Sequence, residues 1–301
     1  MSPRLLVTLL GLSVLWGSAF PLIKVGLEGF SATNLTLLRF LVASASFVPY
    51  LLITRQRLMP ARADLPSFLL LGLLGITIYH LALNYGSLHV SAGAASLIIA
   101  TAPAITAVVA LFWLGERLPP LGWLGISAAF VGVAIIAIGD DPQPGFNPYA
   151  LLVLLSSVVT AFFVVLQKRL LAKYGAVEIT AFATWSGTAP LLVFLPSLPA
   201  DLATAGTASI WAAVYIGLFP AAVAYALFAH ALSQAPVTLV TAFLYGVPVF
   251  SLLFAWLLLG EVPGWLTLAG GILAIGGIVM VNRAQRPRPV PSSLASSRLS
   301  P

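Results

Sequence analysis

Cysteine is absent and histidine occurs only three times. The first absence removes disulfides, thiolate metal sites and thiol nucleophiles together, and the second leaves too few ligands for a metal centre. Charge is scarce as well. Only 7% of the 301 residues are Asp, Glu, Lys or Arg, against about 25% in soluble globular domains. So little charge cannot cover a water-facing surface. With 60% hydrophobic residues and a mean hydropathy of +1.06, most of the surface must face lipid. The H-E-x-x-H and G-x-S-x-G patterns and paired mid-span aspartates are also missing, which argues against the rival class, an intramembrane enzyme. No cofactor and no metal site is expected.

What is present is a series of long apolar runs. A bilayer-crossing helix needs about 20 mostly apolar residues, and ten such segments stand between polar breaks. They are 5–25, 32–52, 66–85, 91–114, 121–139, 148–170, 177–196, 210–232, 237–259 and 265–281. The chain starts with an arginine and an apolar run, but no small-x-small cleavage site follows, so an uncleaved first helix is expected. The short breaks leave no room for a soluble domain. The tail, 284–301, is rich in Pro, Ser and Arg and is expected to be a disordered cytoplasmic segment.

The net charge of +6 suggests a polyanionic partner until the positions are read. Lys24 and Arg39 fall inside spans, and with ten alternating crossings the other twelve Lys and Arg fall on the side of both termini. The opposite side carries Glu28, Asp140, Asp141, Asp201 and Glu261. By the positive-inside rule both termini are cytoplasmic. The basic balance then reports topology, and no nucleic-acid partner is expected.

Sliding the chain by 145 residues places Leu114-Gly115-Glu116 on Leu259-Gly260-Glu261, Gly125 on Gly270, Gly132 on Gly277 and Pro103 on Pro248. Tyr85-Gly86-Ser87-Leu88 falls on His230-Ala231-Leu232-Ser233 without a gap. Each half holds five spans, an odd number, so the halves, 1–140 and 147–283, enter the membrane in opposite directions. Inverted repeats are a transporter design, with the substrate near mid-bilayer between them. The fold class is therefore an all-α membrane protein of ten transmembrane helices in two inverted five-helix repeats. The Pro…Leu-Gly-Glu…Gly…Gly helix pairs that close each half, with Trp16-Gly17-Ser18-Ala19-Phe20 in the first helix, resemble the EamA-type drug/metabolite transporter superfamily. Through Tyr79-His80 the chain resembles that family's bacterial aromatic and neutral amino acid exporters. The resemblance implies a multi-pass protein of the bacterial inner membrane.

Polar groups inside spans mark places to search. Helix 1 carries Ser13, Trp16, Phe20 and Lys24 on one face, and helix 6 carries Ser156, Thr160, Phe163 and Gln167. Thr77, His80 and Asn84 share a face of helix 3, and Thr238, Thr241, Tyr245 and Pro248 one of helix 9. The Ser and Thr are read as packing glue that bonds neighbouring carbonyls. His80, near mid-membrane, either orients a polar substrate group, takes up a proton, or is a core histidine bonded to a carbonyl. Arg39, without a mid-membrane carboxylate, either binds a substrate carboxylate or caps carbonyls at a broken helix end. Lys24 is expected to snorkel to the headgroups. Glu116 and Glu261 are expected to cap the helix that follows each.

Trp16, Phe20, Arg39, Tyr79, His80, Asn84, Phe163 and Tyr245 are the candidate substrate-binding residues. Pro21, Pro103, Pro220 and Pro248, by removing mid-span hydrogen bonds, are the candidate hinges. The function that follows is export of a small molecule, an aromatic or neutral amino acid, by alternating access at a central cavity. Another neutral metabolite or drug is the alternative solute. The partners are that small molecule and the lipid bilayer, in a monomer or a homodimer, with the Gly-rich helices 5 and 10 packing within the fold or between protomers.

Overall fold

The structure, a computed structural model, describes residues 3–114, 119–140, 146–235, 240 and 243–284. Among the described residues it is all helical. In chain order the elements are α1 (Pro3–Leu27), α2 (Ala32–Ile53), α3 (Leu65–Gly72), a π-helical segment (Leu73–Ile78), α4 (Tyr79–Ser87), α5 (Ala92–Ile99), α6 (Ala102–Leu114) and α7 (Pro120–Gly139). The second half repeats this with α8 (Ala150–Leu170), α9 (Ala176–Leu191), α10 (Leu198–Thr204), α11 (Thr207–Ile216), a π-helical segment (Gly217–Val223), α12 (Ala224–Gln234), α13 (Gly246–Leu259) and α14 (Trp265–Ala284). Seven helical stretches are long and apolar enough to cross a membrane, and three shorter apolar ones accompany them at Ala92–Thr106, Gly246–Leu259 and Trp265–Val281. Glu116, Asp141, Thr238, Thr241 and the tail after Ala284 lie outside the described residues.

The shorter stretches correct the reading of the prolines. The expected fourth span is not one helix. It breaks at Ala100–Thr101, so that Pro103 sits in the first turn of α6. Pro248 likewise sits in the first turn of α13, just after Leu244–Tyr245 leave the helix. A first-turn N–H has no intrahelical partner, so proline costs no hydrogen bond there. The carbonyls at the breaks are what need partners, because lipid supplies none. Ser157 Oγ donates to Ile98 O at 3.1 Å, and Ser13 Oγ donates to Phe243 O at 2.7 Å. The two carbonyls stand 145 residues apart and the two serines 144. Each half therefore closes the broken helix of the other with the same device. The π segments are repeated at the same 145-residue offset, and Gly75 in one corresponds to Pro220 in the other. Pro21, by contrast, is buried inside the continuous helix α1.

Helices α7 and α14 meet through glycine. A Cβ on Gly277 would stand 2.4 Å from Gly125 O, and one on Gly132 would stand 2.5 Å from Gly270 O. The backbones touch, so these glycines serve packing within the fold.

At one end of the bundle acidic side chains cap helix starts, Asp140 within the first half and Asp201 and Glu261 from the second half onto the first. Asp140 accepts from Ser91 N at 2.8 Å and from the Ser91 hydroxyl. Asp201 accepts from Ser31 N, Ser31 Oγ and Asn34 Nδ2 at 2.8–2.9 Å. It lies in the helical turn α10 because that turn carries it to the N-terminus of α2. Glu261 departs from expectation. It accepts from Ala92 N at 3.0 Å, capping α5 of the other half and not the helix that follows it. Lys24 departs too: its ammonium lies 3.7 Å from Glu261 instead of reaching out alone. At the opposite end Lys173 bonds Asp64 at 2.9 Å. That carboxylate holds the Lys173 ammonium above its ordinary pKa. Tyr174 Oη donates to Asp64 at 2.8 Å, and Glu178 accepts from Arg57 N at 3.1 Å.

Candidate functional site

Where α3 gives way to α4, the π turn lets the chain pass close to the second half. A Cβ on Gly75 would stand 2.1 Å from the Phe163 ring, and Thr77 Oγ1 donates to Gly187 O at 2.7 Å. The helix restarts at Tyr79 and carries His80, 1% exposed, into the interior. On α2, capped at its start by Ser31, Arg39 is 2% exposed. Arg39 Nη1 lies 3.3 Å from His80 Nδ1, and His80 Nε2 lies 3.3 Å from Tyr225 Oη on α12. A guanidinium has no acceptor, so Nδ1 accepts, the imidazole proton sits on Nε2, and Tyr225 oxygen receives it. His80 is thus held by two side chains and not by a carbonyl.

The cluster has an aromatic shell. Phe40 and Tyr79 rings stand 4.6 and 4.5 Å from the imidazole. Phe163 and Trp16 stand edge-on to Tyr225 at 6.3 and 5.5 Å. Trp16 Nε1 donates to Pro220 O at 3.1 Å, in the second π segment. One turn along from the Arg39–His80 pair, Asn84 Nδ2 donates to Thr36 Oγ1 at 2.8 Å. Arg39 Nε and Asn84 Oδ1 are buried without hydrogen-bond partners. Among the described residues the ion pairs are Lys24–Glu261 and Lys173–Asp64, so no carboxylate neutralises Arg39.

Of the eight candidate binding residues, Arg39, Tyr79, His80 and Asn84 stand together, with Trp16 and Phe163 around them. Phe20 belongs to the apolar cluster that also holds Phe40 and packs against Trp16, Tyr79 and Tyr225. Tyr245 packs in a separate cluster with Ala104, Ile126 and Ile278. The serines behave as packing glue: Ser156 Oγ donates to Tyr79 O at 2.9 Å, just past the π turn. Tyr225 and Thr36 were not singled out in the sequence. Tyr225 stands 145 residues from His80, so the repeat offset was the signal that pairs them.

Comparison with known proteins finds the same division of the chain into two halves. The EamA-like transporter family matches residues 4–138 and again 147–283. The transporter YdfC of Bacillus subtilis is 37% identical over 264 residues, covering 88% of this chain and 86% of its own. The probable terminal-alkyne amino-acid exporter of Streptantibioticus cattleyicolor is 39% identical over 273 residues, 90% of each. A solved crystal structure matches with a TM-score of 0.66 at 21% identity over 91% of this chain and 97% of that one, a likeness of fold.

Proposed function

The chain belongs to the EamA-like transporter family, and from that premise we propose that it exports aromatic or neutral amino acids by alternating access. It is a multi-pass membrane transporter of small molecules. In this reading it sits in the bacterial inner membrane with ten crossings and both termini in the cytoplasm. The halves 1–140 and 147–283 run in opposite directions. The seven long and three shorter apolar stretches supply the crossings, and the basic end with Arg57, Arg62 and Lys173 faces the cytoplasm.

The observation that carries the reading is the meeting of the two halves at His80 and Tyr225, equivalent residues bonded to one another at 3.3 Å. A pseudo-two-fold axis passes between them, and inverted-repeat carriers bind substrate at that axis. Arg39, Tyr79, His80 and Asn84 form the polar wall, with Trp16 and Phe163 beside them. The breaks before Pro103 and Pro248 and the π turn around Pro220 are the flexing points as the halves rock. The Asp201 and Glu261 ties at one end and the Asp64 and Glu178 ties at the other are the contacts that must alternate.

The test is counterflow in liposomes with the purified protein and labelled Phe, Trp, Thr and Met, wild type beside His80→Ala. Saturable exchange that collapses in the variant is expected. A folded, monodisperse wild type that exchanges none of them refutes the amino acid assignment.

A further inference from the structure

We infer that the first repeat grips the polar head of the substrate, with Arg39 on its carboxylate and Asn84 on its ammonium, while the second repeat faces the side chain. The inference rests on the transporter reading above and names the chemical class of its substrate, a free α-amino acid.

Arg39 is a cation with 2% exposure and no carboxylate partner, and its Nε is unbonded. A buried charge is costly until it is paired. Among the described residues the groups around it supply no negative charge. His80 spends its only acceptor on Arg39 and its only proton on Tyr225, so the Tyr225 hydroxyl hydrogen remains available to donate. Arg39 and Tyr225 thus present donors, and a carboxylate offers only acceptors.

The neighbouring rung has the opposite polarity. Thr36 Oγ1 donates to Ala32 O at 2.7 Å, so it must accept from Asn84. That fixes the amide orientation and leaves Asn84 Oδ1 as a buried acceptor without a donor. The Arg39–His80 and Thr36–Asn84 rungs join the same two helices one turn apart, about 5.4 Å. A donor-rich position and an empty acceptor at that spacing match a zwitterionic head group.

The second repeat lacks these groups. At the 144-residue offset that relates Ser13 to Ser157, Arg39 corresponds to Ala183. At the 145-residue offset that relates the π turns, Asn84 corresponds to Ala229 and His80 to Tyr225. Two inverted halves so similar in backbone present opposite chemistry at their junction. The substrate therefore has one orientation, with its head on Arg39 and Asn84 of the first repeat and its side chain toward Phe163 of the second.

The experiment uses the full chain in liposomes and offers three forms of one solute: phenylalanine, phenylalaninamide and phenethylamine. Wild type should carry the acid about 10- to 100-fold better than either amine, the range expected for a charge-assisted hydrogen bond. Arg39→Gln should erase the preference, and Arg39→Lys should restore part of it. Wild type that carries the amide or the amine as well as the acid overturns the inference and leaves the transporter reading standing. A folded Arg39→Gln that keeps the preference overturns it as well. Wild type that carries none of the three removes the aromatic amino acid reading and this inference with it.

Discussion

Two adjacent glycines in α14 should respond in opposite ways to the same added methyl group. Gly277 is buried against α7. Its Cβ would stand 2.4 Å from Gly125 O and 2.7 Å from Ala129 N. Both obstacles are backbone, so no side chain can turn aside, and the helices must part by about 1 Å to restore ordinary contact. Overpacking of this kind costs about 1–3 kcal/mol. For a chain of this size that lowers the melting temperature by several degrees, at about 2–4 °C per kcal/mol. Gly276 is exposed and has nothing within 4 Å of its Cβ position. Alanine there removes the glycine penalty of up to about 1 kcal/mol and should be neutral or stabilising. The assay is thermal loss of the monodisperse fraction in detergent for wild type, Gly276→Ala and Gly277→Ala. Gly125→Ala meets Gly277 O at 2.5 Å, so it should cost as much alone but less when added to Gly277→Ala, because the helices have already parted. Equal losses from Gly276→Ala and Gly277→Ala would refute the close α7–α14 contact.

Ser13→Ala should destabilise by about 1–3 kcal/mol, because Phe243 O loses the Ser13 donor where lipid offers none; Ser157→Ala should cost less, because Ile98 O keeps Thr101 Oγ1 at 2.6 Å and Thr101 N at 3.0 Å, both read by thermal unfolding. Tyr225→Phe strands the His80 Nε2 proton and removes the hydroxyl from the site, so counterflow should fall at least as far as in Trp16→Phe, measured with matched protein in the liposomes. Lys173→Met removes an exposed ion pair but leaves the Tyr174–Asp64 bond that ties the same end, so transport should change little. In wild type the Lys173–Asp64 pair raises the folded-state lysine pKa. Its contribution is therefore lost as pH climbs past the raised lysine value, and it is lost again in acid strong enough to protonate Asp64, so the wild-type and Lys173→Met melting curves should differ between these limits and converge in strong alkali and strong acid.

The apolar stretches were legible because lipid imposes a length and a composition that few other environments tolerate, and polar residues punctuate them. The repeat was legible because paired Gly and Pro positions have little freedom to drift. The break at Ala100–Thr101 was not, since neither residue is a helix breaker and the run around them stays apolar. There Ile98 O accepts from Thr101 N at 3.0 Å, from Thr101 Oγ1 at 2.6 Å and from Ser157 on a distant helix at 3.1 Å, so the carbonyl is satisfied without a continuing helix. Tyr225 was hidden for a similar reason: alone it is one aromatic among many, and only its equivalence to His80 assigns it a place. Tyr245 packs apart from His80 because a shared helical face implies a shared neighbour only while the helix continues, and the chain leaves the helix at that residue.

The backbone devices repeat in both halves, and the site chemistry does not. Both halves have a π turn, a broken helix closed by a serine of the opposite half, and glycines where α7 and α14 touch. These belong to the framework, because an inverted pair can exchange inward and outward shapes only if each half can adopt the shape of the other. A bound solute is under no such constraint, as it has no two-fold axis of its own. A site at the axis that were itself symmetric would hold an asymmetric solute in two orientations with equal strength. Replacing Arg, His and Asn of one half by Ala, Tyr and Ala of the other lifts that degeneracy. On this argument Ala183→Arg, which places a second guanidinium at the position equivalent to Arg39, should weaken selection between the acid and its mirror-oriented analogues while the framework still folds. Retained selectivity in a folded Ala183→Arg protein, measured by competition counterflow, would count against the assignment of the head group to the first half.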